Sequence, residues 1–223
     1  MQISMEKRKF KESVYSGISQ LTKALSNPHR LEIIDLLAQG EKTVEVIAEE
    51  IGQSVANASQ HLQVLKQARL VSTRRQGHYI FYNLANPDVF SAWQSLRSLS
   101  IRQIPDVKQV LNDFRHERNS LEAISIDELT EKLASDDLIL VDVRPAEEYR
   151  MGHIPQAISV PVDQWDVQLD TLPLHKEVIA YCRGPFCVFA DEAVARLRGK
   201  GYRAIRLEEG FPDWKGRGLP IAC

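Results

Sequence analysis

Apolar residues in the first hundred positions recur at helical spacing, in short blocks that each carry start and stop signals. Leu31, Ile34 and Leu37 follow Asn27-Pro28, an N-cap residue with a proline at the first helical position, and the block ends before Gly40. Thr43 is placed to cap a second helix with Val44, Ile47 and Ile51 on one face, ending at Gly52. A third begins near Ser54 and carries Val55, Ala58, Leu62 and Leu65. The period then changes, and Leu70 to Arg75 and Tyr79 to Leu84 read as two strands linked by a turn containing Gly77. Phe90, Trp93 and Leu96 mark a long amphipathic stretch, re-started at Pro105.

The second half has a different pattern. Ser125 and Glu128 form a capping-box pair ahead of a short helix. The runs Leu138 to Val141 and Val178 to Tyr181 are short and continuously apolar, as expected for buried strands of a parallel sheet. A helix pattern spans Val188 to Arg198, and Ala204 to Leu207 supplies another strand. The predicted architecture is two domains: residues 1–118, mainly α with a wing, and residues 119–223, α/β with a central parallel sheet. The charged stretch Arg115 to Ser120 is the expected linker.

Composition adds an asymmetry. The net charge of −2 conceals 16 Lys and Arg against 12 Asp and Glu in residues 1–120, and 12 against 18 in the remainder. Only the first half therefore suits a polyanion. The lysines and arginines of Met1 to Lys11 precede no apolar stretch of the kind a secretory signal needs, and no run approaches the ~20 apolar residues of a membrane span. All three cysteines, Cys182, Cys187 and Cys223, fall in the second half, too few for a secreted disulfide framework. A cytoplasmic location without membrane contact is expected.

On a helical wheel from Ser54, the apolar positions gather on one side while Gln53, Asn57, Gln60 and Gln63 lie on or toward the other, and His61 lies at the boundary. Asn and Gln can pair bidentately with an adenine edge in the major groove. The candidate DNA-binding set is Gln53, Ser54, Asn57, Ser59, Gln60 and His61, joined by Arg74, Arg75 and His78 of the hairpin, which can reach phosphate or a minor groove. The alternative is a solvated polar face, with His61 held by packing. Residues 18 to about 100 resemble the ArsR-type winged-helix repressors through Asn27-Pro28-His29-Arg30-Leu31, Ser59-Gln60-His61-Leu62 with Leu65, Leu70-Val71 and the wing Arg75 to Tyr82. The resemblance implies a homodimer built on the first and last helices that binds a palindromic double-stranded operator. The family usually carries glycine where this chain has Arg69. Many members sense metals through cysteines ahead of the recognition helix, but Val44 to Ile51 holds neither Cys nor His, and His116 stands alone. No metal site and no cofactor are expected.

Ala180 to Val188 joins a predicted strand to a predicted helix and contains Cys182, Arg183, Gly184, Pro185, Phe186 and Cys187. A helix N-terminus favours thiolate over thiol, and successive loop amides can curve around an anion. Cys182 is the candidate nucleophile with Arg183 beside it, and Gly184, Phe186 and Val188 are the candidate cradle for a persulfide or thiosulfate. Cys187 is a candidate partner thiol that could attack an oxidised or persulfidated Cys182. In the alternative readings, Cys182 is a small buried hydrophobe at a strand end, and Cys187 is a buried helix-start residue pointing away from it.

From about Ile124 onward the chain resembles the rhodanese family, through Asp142-Val143-Arg144 with Glu148-Tyr149, Gly152-His153-Ile154-Pro155 with Ala157 and Pro161, the Cys182 loop, and Gly210 with Trp214. The resemblance implies a parallel sheet flanked by helices, Cys182 as nucleophile, Asp142 and Arg144 as supports of the loop base, and a structural His153. Family members usually carry glycine one place after Gly184, and often Arg, Ser or Thr where Cys187 stands. Together the halves point to a transcriptional repressor whose DNA affinity is set by the sulfane-sulfur or redox state of Cys182, with Cys187 as partner. The alternative is a sulfurtransferase whose helix-turn-helix half serves dimerisation or location.

Overall fold

The computed structural model describes residues 5–133 and 137–223; the first four residues of the basic N-terminal stretch lie outside them. The chain divides into two compact units, Met1–Trp93 and Gln94–Cys223. The division falls within a helix, well before the charged stretch expected as the linker, because side chains of residues 94–117 bond into the second unit.

In the first unit, α1 (Met5–Leu25) precedes α2 (Pro28–Leu37), whose N-cap Asn27 accepts from the Arg30 amide. β1 (Lys42–Thr43) leads into α3 (Val44–Glu50), where Thr43 takes the N-cap position but makes no side-chain cap. α4 (Val55–Gln67) is capped by Ser54, which accepts from the Asn57 amide at 3.2 Å. β2 (Val71–Gln76) and β3 (Tyr79–Leu84) pair antiparallel about Gly77, whose φ of 61° the tight turn requires. The two-residue β1, too short to be legible in the sequence, adds to the far side of β3. Ile33, Ile34, Ile47, Ala58, Leu62 and Leu65 are fully buried and form one core with Leu70, Phe90 and Trp93. Val55, expected on this apolar face, is 47% exposed because it opens the first turn of α4, ahead of the packed positions.

Arg69 has φ 59°, the left-handed conformation that follows a helix end, and its amide donates to the Lys66 carbonyl. A Cβ in that conformation costs about 1–2 kcal/mol, which glycine avoids at an entropic cost of about 0.5–1 kcal/mol. Arg69 is exposed. Arg69→Gly is therefore expected to stabilise the first unit by about 0.5–1 kcal/mol, seen as a thermal midpoint several degrees higher; an unchanged or lower midpoint counts against this account.

α5 (Pro87–Gln103) and α6 (Pro105–Glu117) follow the wing, re-started at Pro105. The second unit then runs β4 (Ala123–Ile124), α7 (Ile126–Lys132), β5 (Leu138–Asp142), α8 (Ala146–Met151), β6 (Ile158–Ser159), α9 (Trp165–Gln168), β7 (Glu177–Tyr181), α10 (Phe189–Gly199), β8 (Arg203–Leu207) and α11 (Phe211–Gly216). The capping box at α7 forms with both hydrogen bonds, Glu128 amide to Ser125 Oγ and Ser125 amide to Glu128 Oε2. All pairings in the five-stranded sheet are parallel, in the order β4-β8-β7-β5-β6. Alternation along β7 sends Val178 and Ala180 to the core beneath α10 and Ile179 and Tyr181 to the opposite core. No helix among the described residues is long and apolar enough to cross a membrane.

Candidate functional site

β7 is the middle strand of the parallel sheet, and Cys182 follows its carboxyl end, the edge at which open α/β sheets bind ligands. The strand's alternation continues one residue further, so Cys182 shares the face of Val178 and Ala180, is 2% exposed, and looks toward the start of α10. Cys187 stands there, and the two cysteines are joined as a disulfide with Cα atoms 6.3 Å apart. Such a separation lies within the range a bridge needs without backbone movement. Cys223 is a free, exposed thiol at the chain end.

The loop between the two cysteines is built tightly. The Cys187 amide donates to the Gly184 carbonyl at 3.0 Å, so it closes a turn and does not join an anion cradle. Pro185 offers no amide. Gly184 has φ 149°, a conformation that disfavours a side chain. Gly210 packs so closely that a Cβ on it would overlap the backbone of Arg183 and Gly184. The Phe211 amide donates to the Cys182 carbonyl at 3.1 Å. Phe186 and Val188, the other candidate cradle residues, are each 37% exposed.

Arg183, expected to lend charge to the thiolate, is committed elsewhere. Its Nε and Nη2 reach Glu148 Oε2 and Oε1 at 3.1 and 2.7 Å, and the Glu148 side chain is 1% exposed. This buried fork pins α8 to the loop and neutralises much of the guanidinium. The sequence resemblance included Glu148 without a role; the pairing across the sheet edge supplies one.

Asp142 and Arg144 form a fully buried ion pair at the loop's base. Arg144 Nη2 reaches Asp142 Oδ2 at 2.7 Å and the Gly152 carbonyl at 2.7 Å, and its guanidinium lies 4.2 Å from the Phe211 ring centre. Tyr181, adjacent to Cys182, bonds Asp142 and receives the Ile154 amide; burial, then the Asp142 charge, pushes its phenol well above the usual range, so it stays neutral. His153 stacks on Tyr149 at 3.7 Å with its Nδ1 3.0 Å from the Tyr149 carbonyl, a packed histidine.

In the first unit, Asn57, Gln60 and Gln63 are exposed on α4, with Ser54 exposed at its cap and Ser59 half-buried. Gln53 is half-buried and accepts from Asn57 Nδ2 at 3.3 Å, which orders that side chain. His61 is turned inward: its ring centre lies 5.5 Å from that of His29, and burial, then the charges of His29 and Arg30, hold it below the ordinary histidine range. Arg74 does not stand free on the wing. It pairs with Glu41, which also receives Asn83 Nδ2 at 3.1 Å, and the pairing holds the Glu41 carboxyl below its usual range. Arg75 donates to the Gly77 carbonyl at 3.2 Å, and His78 is exposed at the turn. Among the described residues, no group of three or more His, Cys, Asp or Glu is arranged around a common point.

A polar-faced helix behind a wing, followed by a parallel sheet that presents cysteines at the edge of its middle strand, defines a helix-turn-helix regulator with a rhodanese-like half. Residues 27–73 match the bacterial regulatory protein, arsR family, and residues 125–217 the rhodanese-like domain. The HTH-type transcriptional regulator Rv0324 of Mycobacterium tuberculosis is 37% identical over 211 residues, 95% of this chain and 92% of that protein. A sulfurtransferase of Allochromatium vinosum is 33% identical over 102 residues, 45% of this chain and 94% of that protein. Among solved structures, the homodimeric winged helix-turn-helix DNA-binding domain of Mb0332 from Mycobacterium bovis is 35% identical, covering 47% of this chain and 94% of that one, with a TM-score of 0.42. The chain belongs to the ArsR-family transcriptional regulators that carry a C-terminal rhodanese-like domain.

Proposed function

We propose that this chain is a cytoplasmic, homodimeric regulator whose affinity for a palindromic operator is set by the sulfur state of Cys182, with Cys187 as resolving thiol. One observation carries the reading: the two cysteines of the loop after β7 lie at bonding distance in a chain whose other half is a DNA reader. The exposed amides of Asn57, Gln60 and Gln63 support base recognition. Phe10, Val14, Tyr15, Ile18 and Leu21 form an exposed apolar stripe on α1, which supports pairing with a second copy.

The chemistry balances with a polysulfide or persulfide, RSSH, as oxidant. The Cys182 thiolate attacks the sulfane sulfur, forming Cys182–S–SH and releasing RSH. The Cys187 thiolate then attacks Cys182 Sγ, forming the disulfide and expelling hydrosulfide. The two cysteines lose two electrons, and the sulfane sulfur is reduced to sulfide.

The test is operator binding by gel shift, reduced and after polysulfide. Reduced and oxidised protein are expected to differ by about 5–150-fold in affinity, the usual span of allosteric coupling, and Cys182→Ser to remove the difference while leaving reduced binding unchanged. Equal affinity in both states sinks the reading.

A second reading, sulfur transfer to a thiol acceptor, is favoured by the similarity to a sulfurtransferase along 94% of that protein. Steady-state thiocyanate or sulfide production, lost in Cys182→Ser and unaccompanied by specific DNA binding, would select it. The buried Cys182 and the amide spent on Gly184 weigh against rapid turnover.

A further inference from the structure

Two arginines outside the rhodanese-like sequence match reach the cysteine loop. Asp213, in the first turn of α11, is 1% exposed and accepts from Gly210 through Oδ2 at 3.1 Å. Its Oδ1 accepts from Gln94 Nε2 at 2.7 Å and Arg97 Nη2 at 2.5 Å, both on α5. Arg97 is 4% exposed, and its Nη1 lies 3.3 Å from the point a Gly184 Cβ would occupy. From α6, Arg115 Nη2 donates to the Pro185 carbonyl at 2.6 Å while its Nε lies 3.5 Å from Asp191 of α10, which Ser120 Oγ holds at 2.8 Å.

Gly184 and Pro185 lie inside the ring that the Cys182–Cys187 bond closes. Opening or closing that bond therefore acts directly on the backbone that these contacts engage. A buried guanidinium on a buried carboxylate is little screened, so a small shift of the loop is felt strongly at the pair. A contact stronger in the closed loop stabilises the disulfide by the same factor as the disulfide stabilises the contact. Gln94 and Arg97 of α5, like Arg115 of α6, fall within the second unit together with the cysteine loop.

We propose that Arg97 and Arg115 are positioning residues of the Cys182–Cys187 loop, which favour its closed form and make the docking of residues 94–103 of α5 depend on that form. This deepens the sulfur-sensing reading and rests on it for its biological meaning, but its test needs no DNA.

The experiment uses the full chain, equilibrated in dithiothreitol redox buffers, with the dithiol and disulfide forms counted by mass spectrometry after alkylation. Arg97→Lys, which keeps the charge but not the two-pronged reach, and Arg115→Met are each expected to lower the disulfide's equilibrium constant about tenfold, or about 30 mV. Hydrogen exchange of residues 94–103 is expected to be slower in the oxidised than the reduced wild-type chain, with the difference lost in both variants. Should Arg97→Lys fail to fold, Gln94→Met removes only a neutral hydrogen bond from the same carboxylate and is expected to shift the equilibrium in the same direction by less. An unchanged equilibrium constant in the folded variants, with equal exchange in both redox states, overturns the proposal. A shifted equilibrium in a protein whose operator affinity ignores the disulfide would uphold it and defeat the sensor reading alone.

Discussion

Gly210→Ala is expected to destabilise the second unit by about 3 kcal/mol or more, while Gly199→Ala in the same unit stabilises it by about 0.5–1 kcal/mol. Both add one methyl group. At Gly210 the new Cβ would occupy the Arg183–Gly184 backbone, and a backbone so fixed cannot yield cheaply: Phe211 holds Cys182, and Asp213 holds Gly210 itself. At Gly199, in the last turn of α10, nothing lies within 4 Å of the added atom, so alanine only reduces the entropy lost on forming the helix. Urea unfolding followed by the fluorescence of Trp165 and Trp214 measures both. A Gly210→Ala protein as stable as the parent would show that the loop is not packed as described.

Arg144→Met is the second large effect. The substitution keeps most of the side chain's volume against Phe211 but leaves Asp142 with no cation, at a site where neither partner has any exposure. Breaking a buried pair from one side costs about 3–5 kcal/mol, chiefly from the charge left behind. Asp142→Asn added to Arg144→Met is therefore expected to recover part of the loss, making the double variant more stable than Arg144→Met alone. Because Asp142 also bonds Tyr181, the residue before Cys182, the single variant is further expected to alkylate faster at Cys182 once the disulfide is reduced. Simple additivity of the two substitutions would argue that the pair does not act as a unit.

Much of this molecule is legible in its residues taken in order. The helical spacing of Ile34, Leu37, Ala58, Leu62 and Leu65, the capping signals at Asn27, Ser54 and Ser125, and the apolar runs 138–141 and 178–181 state local preferences that the fold honours. The left-handed position of Arg69 is visible as a residue standing where glycine is usual. These features depend on neighbours within a turn or a strand, and the chemistry of one segment suffices to predict them.

Where each charge is spent is decided by the tertiary structure alone. Arg183 binds Glu148, Arg74 binds Glu41, His61 meets His29, and Arg97 crosses 116 positions of chain to Asp213. No spacing rule links such residues, because each pair forms only after packing has brought distant segments within reach. The meeting of Cys182 and Cys187 belongs partly to both kinds of information. Five residues of separation permit it, but the alternation of β7, the start of α10 and the close seat of Gly210 turn the two sulfurs toward each other.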